Sequence, residues 1–174
     1  MELFVAFKNS VWAKRIAKTV GYFVAIFIIA MLVDWYRSTD IETTVPEQSA
    51  TLRTLQGDTV DIIERSKEAP VLVYFWATWC PYCKVVSPMV DGIAEDYDVV
   101  TVAFSSGADE KVMQFAQQKG YDFATVNDQT GVLARRWGVS VTPTILIIRD
   151  GEVQSVTTGL TTSLGMRARL MLAR

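Results

Sequence analysis

The sequence predicts an α/β domain, a central mixed sheet flanked by helices, carried behind one N-terminal transmembrane helix. Three observations predict it. Residues 71–77 form an unbroken apolar run rich in β-branched and aromatic side chains, the pattern of a strand buried on both faces. From about residue 51 onward strand and helix patterns alternate, first as βαβα and then as ββα, which describes a mixed sheet with helices on both faces. Residues 19–33 carry no charge at all.

Composition narrows the chemistry. The chain has 174 residues, room for one domain and an appendage. Half of them are hydrophobic and the net charge is −2; the mean hydropathy of +0.21 is high for a purely soluble protein. Nucleic acid is excluded as a partner, because a phosphate-binding face needs Lys and Arg clustered on the folded part and here they cluster at the N-terminus. There is no histidine, which removes the commonest general base and the commonest metal ligand. Two cysteines alone cannot complete a four-ligand zinc site within one chain. No resident metal and no organic cofactor are expected.

The elements follow in order. At about 1.5 Å per residue, residues 19–33 span roughly 22 Å, short of the ~30 Å hydrocarbon core. Ile16 and Ala17 extend the run, Lys18 can snorkel, and Trp35 and Tyr36 suit the opposite interface. The residues that follow, Asp34-Trp35-Tyr36-Arg37, offer no small-residue cleavage site, so the reading is an uncleaved signal anchor over 16–36. Lys8, Lys14, Arg15 and Lys18 precede it, which places residues 1–15 in the cytoplasm and everything after the anchor outside, in a bacterium the periplasm. That compartment tolerates disulfides. Residues 37–50, polar and acidic with Pro46, read as a tether, and 51–174 as the domain. Within it, 52–55 and 60–63 flank Gly57-Asp58 as a small hairpin. After the strand at 71–77, a helix is expected over 81–97, with Pro81 in its first turn and Pro88 kinking it. A buried strand at 99–104 leads to a helix capped near Asp109 and ended by Gly120. A short extended piece at 123–126, a short helix at 132–137, strands at 145–148 and 153–158 around Asp150-Gly151, and a helix at 164–172 complete the chain.

The chemistry concentrates in Phe75-Trp76-Ala77-Thr78-Trp79-Cys80-Pro81-Tyr82-Cys83-Lys84. Cys80 and Cys83 fall where the strand ends and the helix begins. A thiol there faces unpaired backbone N–H groups and the positive end of the helix dipole, which favour the thiolate, the species that reacts in disulfide exchange. Two other readings compete. A structural disulfide closing so short a loop constrains the unfolded chain little. A tethered Cu(I)-binding or copper-delivery module could use the same two thiolates.

That segment, Pro88, and Trp137-Gly138-Val139-Ser140-Val141-Thr142-Pro143-Thr144 together resemble the thioredoxin-like family over roughly the last two-thirds of the chain. The Trp-Ala-Thr-Trp-Cys segment and the anchor are similar to its TlpA-like membrane-tethered branch, closest to the suppressor-of-copper-sensitivity type D proteins. The resemblance implies a thioredoxin fold and a thiol–disulfide oxidoreductase, with Cys80 as attacking nucleophile and Cys83 as the resolving, less exposed thiol. It implies a cis peptide bond at Pro143 facing the pair, with Thr142 offering its backbone to an extended client peptide. Trp79, Pro81 and Tyr82 would complete the surface around Cys80. The implied partners are periplasmic proteins with thiols or disulfides and a membrane electron carrier. One departure stands out. The buried acid that relatives carry where this chain has Tyr74 or Val86 is missing, so proton transfer at Cys83 has no assigned acceptor.

Overall fold

The computed structural model describes residues 18–22, 24–25, 28–29 and 44–173. The chain divides into two compact units, Met1–Thr39 and Asp40–Arg174. In the first, the described residues are helical and expose Val20, Tyr22, Val24, Ile28 and Ile29. Most of the anchor expected over 16–36 lies outside the described residues, and among the described residues no helix is long and apolar enough to cross a membrane.

The second unit opens earlier than the hairpin. Residues 44–50, read above as the end of a tether, pack onto the domain. Thr44 forms an antiparallel bridge with Glu152, the Val45 N–H donates to the Gly151 carbonyl (3.0 Å), and Val45, Ser49 and Ala50 are buried around a 3₁₀ turn at Glu47–Ser49. The hairpin follows as β1 (Thr51–Arg53) and β2 (Thr59–Asp61), antiparallel with Leu52 opposite Val60. Where the sequence pattern continued β2 to residue 63, the chain instead starts helix α1 (Ile62–Glu68). The Asp61 side chain caps it by accepting the Glu64 N–H (3.0 Å), and this local bond overrides the β-preference of Ile62 and Ile63.

Strand β3 (Val71–Trp76) is buried at every residue. Helix α2 (Cys83–Ala94) follows it and carries Pro88 in its interior. Next come β4 (Asp98–Phe104) and α3 (Asp109–Lys119), the latter closed by Gly120 in the left-handed conformation (φ 67°). The cap expected from Asp109 or a neighbour falls on the neighbour. Ala108 takes that position without a side-chain bond, and Asp109 sits in the first turn. Then follow β5 (Ala124–Asp128), α4 (Val132–Arg136), β6 (Thr144–Arg149), β7 (Glu152–Thr158) and α5 (Ser163–Leu172).

The five-stranded sheet has the order β5-β4-β3-β6-β7. β3, β4 and β5 run parallel, and β6 and β7 are antiparallel to their neighbours. This is the mixed sheet the sequence predicts, with β3 at its centre. The two-residue period of β3 divides the core between the faces. Leu72, Tyr74 and Trp76 pack with Cys83, Val86, Val90 and Ile93 of α2 and Met166 and Leu170 of α5. Val71, Val73 and Phe75 pack with Ile62, Trp137, Val139 and Val45 on the other side. Each fully buried apolar side chain contributes about 1.5–3 kcal/mol. Burial on both faces therefore fixes the register of β3 and the position of the loop at its C-terminal end.

Candidate active site

That loop carries the cysteine pair. Cys80 and Cys83 are joined in a disulfide, with Cα atoms 5.3 Å apart. The Cys80 N–H donates to the Ala77 carbonyl (3.2 Å), and the Val86 N–H reaches the Tyr82 carbonyl (3.1 Å) as α2 begins. Pro81 and Tyr82 lie in the turn ahead of the helix, so the helix starts two residues later than expected. The Cys83 N–H, the first of α2, donates to Cys80 Sγ (3.1 Å). A helix-terminal N–H aimed at a sulfur stabilises negative charge there once the pair is reduced.

The second wall comes from the segment before β6. The Thr142–Pro143 peptide bond is cis, and the Thr142 carbonyl oxygen lies 3.6 Å from Cys80 Sγ. Pro143 is buried and its carbonyl accepts the Gly159 N–H (2.9 Å), which ties this segment to the end of β7. The Thr142 hydroxyl is buried and has no hydrogen-bond partner among the described residues.

Both sulfurs are enclosed. Cys80 is 2% exposed and Cys83 1%, so the contrast in exposure expected between them is absent from the disulfide form. The Thr142 carbonyl and the Cys83 N–H both lie against Cys80 Sγ. The rim is different. Trp79 is 59% exposed, Tyr82 57% and Val85 53%. Trp79 is held in place nonetheless, since its indole N–H donates to the Ser105 carbonyl (3.0 Å) and the neighbouring Thr78 N–H donates to Ser106 Oγ (3.0 Å). Trp76, by contrast, is core, its indole N–H on Thr101 Oγ1 (3.1 Å). The structure thus brings together Trp79, Cys80, Pro81, Tyr82, Cys83, Thr142 and Pro143, residues the sequence separates by about sixty positions.

Sequence reasoning missed what lies beneath. Tyr74 OH and Ser87 Oγ share a buried hydrogen bond of 3.0 Å. Burial pushes the Tyr74 phenol well above the usual tyrosine range, and burial raises that of Tyr121 as well. Ser87 is four residues after Cys83, on the same helix face, and that spacing was available as a signal. Among the described residues no group of three or more Cys, Asp or Glu side chains is arranged to hold a metal ion.

A Cys-x-x-Cys disulfide at the start of a helix, against a cis-proline segment and on a mixed sheet of this order, defines a thiol–disulfide oxidoreductase of the thioredoxin-like superfamily. Comparison with known proteins agrees: residues 41–163 match the Redoxin family, and the chain belongs to it. It is 38% identical over 163 residues to a thioredoxin-like protein of Haemophilus influenzae, an alignment covering 92% of this chain and 95% of that one. Among solved structures, StoA from Bacillus subtilis superposes with a TM-score of 0.62 at 24% identity, over 71% of this chain and 98% of that one. A putative thiol:disulfide interchange protein DsbE from Chlorobium tepidum superposes with a TM-score of 0.65 at 23% identity, over 76% and 98%. Both likenesses are of fold.

Proposed function

We propose that this protein exchanges disulfides with client proteins on the periplasmic side of a bacterial inner membrane, tethered by its N-terminal segment. In the reducing direction, the Cys80 thiolate attacks one sulfur of a client disulfide. A Cys80–client bond forms, the client S–S bond breaks, and the released sulfur leaves as a thiolate that takes a proton. The Cys83 thiolate then attacks Cys80 Sγ. The Cys80–Cys83 bond forms, the client leaves with its second thiol, and two electrons have passed to it. A membrane electron carrier restores the dithiol. The opposite direction uses the same atoms, and the reduction potential of the pair decides between them on a scale of about −270 mV for reductants to about −120 mV for oxidants.

The observation that carries this reading is the Cys83 N–H on Cys80 Sγ at 3.1 Å. It supports Cys80 as the sulfur whose thiolate is stabilised, and so as the attacking one. The exposed ring of Trp79 and Tyr82 supports a protein surface as the client, and the Thr142 backbone beside the sulfur supports pairing with an extended segment. The charge asymmetry around residues 19–33 supports the tether and its orientation.

Insulin reduction and mixed-disulfide trapping test the assignment. Cys80→Ser abolishes turnover, because the thiolate is the nucleophile. Cys83→Ser leaves clients bound covalently through Cys80, seen as thiol-sensitive adducts on a non-reducing gel. Turnover by Cys80→Ser overturns the assignment. So does a wild-type protein that binds Cu(I) tightly yet shows no exchange.

A further inference from the structure

Cys80 is delivered by a turn. Residues 77–80 form it, closed by the Cys80 N–H on the Ala77 carbonyl (3.2 Å). That closing bond leaves the Thr78 N–H free to bond elsewhere, and it goes to Ser106 Oγ at 3.0 Å. Among the described residues Ser106 is the side chain that bonds this turn's backbone. Ser106 is buried, and its hydroxyl donates in turn to the Phe104 carbonyl (3.1 Å). With its proton committed there, the oxygen presents its lone pairs to Thr78. The next residue of the turn, Trp79, is held by the same loop through the Ser105 carbonyl (3.0 Å).

The loop is itself fixed from behind, by the end of β5. The Ser105 N–H donates to the Asp128 carbonyl (2.9 Å). Asn127 Nδ2 donates to the Gly107 carbonyl (2.9 Å) and to Asp109 Oδ1 (2.7 Å). Between these ties Ser105 adopts φ +45°, a left-handed conformation that a residue with a Cβ takes at a steric cost. Such a conformation persists where its surroundings over-determine it. We propose that Ser106 is a positioning residue for the nucleophile: through the Thr78 N–H it sets where the 77–80 turn places Cys80 Sγ over the Cys83 N–H. This rests on the roles given to Cys80 and Cys83 above.

Position matters here because few charges stand near the sulfur. The segments that build the site, 105–108, 138–144 and 159–162, contain no Asp, Glu, Lys or Arg. On α2 and its lead-in turn the ionisable groups are Cys83 and the exposed Tyr82 and Lys84. From β3 comes the Tyr74 phenol, which burial keeps protonated. The charge that Cys80 can carry therefore depends on backbone dipoles, the Cys83 N–H at 3.1 Å and the Thr142 carbonyl at 3.6 Å. Hydrogen bonds weaken with distance and steeply with angle. Removing the Ser106 hydroxyl leaves the Thr78 N–H without its acceptor, and the turn relaxes away from the geometry that favours the thiolate. The Trp79 indole keeps its bond to the Ser105 carbonyl, so the exposed rim is less affected than the sulfur.

The pH dependence of alkylation by iodoacetamide tests this in the full-length chain. The parent carries Cys83→Ser, which leaves Cys80 as the only thiol and keeps the backbone N–H at position 83. Ser106→Ala moves the midpoint of the profile to higher pH and slows alkylation at neutral pH about two- to fivefold, the range of a helix-terminus interaction. Asn127→Ala, which frees the loop at Gly107, moves it in the same direction. Asp61→Ala weakens the fold at the α1 cap, outside this loop, and leaves the profile in place. A folded Ser106→Ala variant whose profile coincides with the parent's overturns the inference while the cysteine roles stand. Where Ser106→Ala does not fold, a coincident Asn127→Ala profile overturns it. An equal displacement by Asp61→Ala also overturns it, because lowered stability then accounts for the effect. A parent whose Cys80 stays unreactive across the pH range overturns the cysteine roles instead.

Discussion

Cys80 Sγ sits between two backbone dipoles of opposite effect. The Cys83 N–H at 3.1 Å favours a negative sulfur, and the Thr142 carbonyl at 3.6 Å opposes it. One hydrogen bond and a helix terminus, worth about 0.3–1 kcal/mol for the dipole alone, therefore set the thiolate against a nearby carbonyl. That arrangement suits a sulfur that must alternately hold charge and form a bond. A single carboxylate acts with similar economy at Asp61. Its carboxyl is held below the ordinary range, mainly by the Glu64 backbone N–H and then by the Thr51 hydroxyl. A folded-state value below the unfolded one means the ionised group stabilises the fold above the unfolded carboxylate range. That contribution is lost as pH falls through the depressed folded value. Asp61→Ala is expected to cost about 1 kcal/mol at neutral pH, read from urea midpoints, and the gap from wild type is expected to narrow toward acid pH. A gap that stays constant down to the acid carboxylate range removes the capping explanation.

At the scale of elements, what was legible in the sequence followed from pattern strength. β3 was readable because six consecutive apolar residues permit little else, and the Cys segment because a strand ran straight into it. Helix α1 was not, since Ile62-Ile63 continue a β-branched run while the signal against them is one local bond from Asp61. That signal was present as Asp61 followed three residues later by Glu64, the spacing of a capping box. The Tyr74–Ser87 bond was invisible for a different reason. It joins a strand to a helix, and only their packing reveals it. The loop between β4 and α3 illustrates how elements position the rim. It presents the Ser105 carbonyl to Trp79, and its placement depends on Gly131 ahead of α4. Gly131 has φ +71°, and a Cβ there would lie 2.7 Å from Phe104 Cε2 and 3.2 Å from Ser105 Oγ. Gly131→Ala combines a left-handed penalty of about 1–2 kcal/mol with overpacking of about 1–3 kcal/mol. A loss of about 2–5 kcal/mol in chemical denaturation is expected. A loss below about 0.5 kcal/mol, the range of an ordinary surface change, shows that Phe104 yields freely and that the loop is not anchored there.

For the whole molecule, the sheet order explains why one site needs residues from both halves of the sequence. β3 and β6 are adjacent and antiparallel, with Phe75 opposite Thr144. The end of one strand and the start of the other therefore meet, and Cys80 comes to face Thr142. The domain that holds this arrangement starts before the hairpin, because the Thr44–Glu152 bridge and the buried Val45 and Ala50 close the outer edge at the β6–β7 turn. The sequence pattern missed this since the segment is polar on average and its burial comes from a few residues. Two fragments separate its contribution from that of the N-terminal unit. A fragment of residues 40–174 is expected to unfold cooperatively and to reduce insulin as the full chain does. A fragment of residues 51–174 loses the bridge, the Val45–Gly151 bond and the burial of Val45, and is expected to be less stable by about 2–4 kcal/mol from apolar burial and one hydrogen bond. In cell fractionation the full chain is expected to stay with membranes after carbonate washing while the 40–174 fragment is released. Equal stability of the two fragments means residues 44–50 only decorate the domain. A carbonate-soluble full chain removes the tether, and with it the reason to place the exchange reaction at a membrane surface.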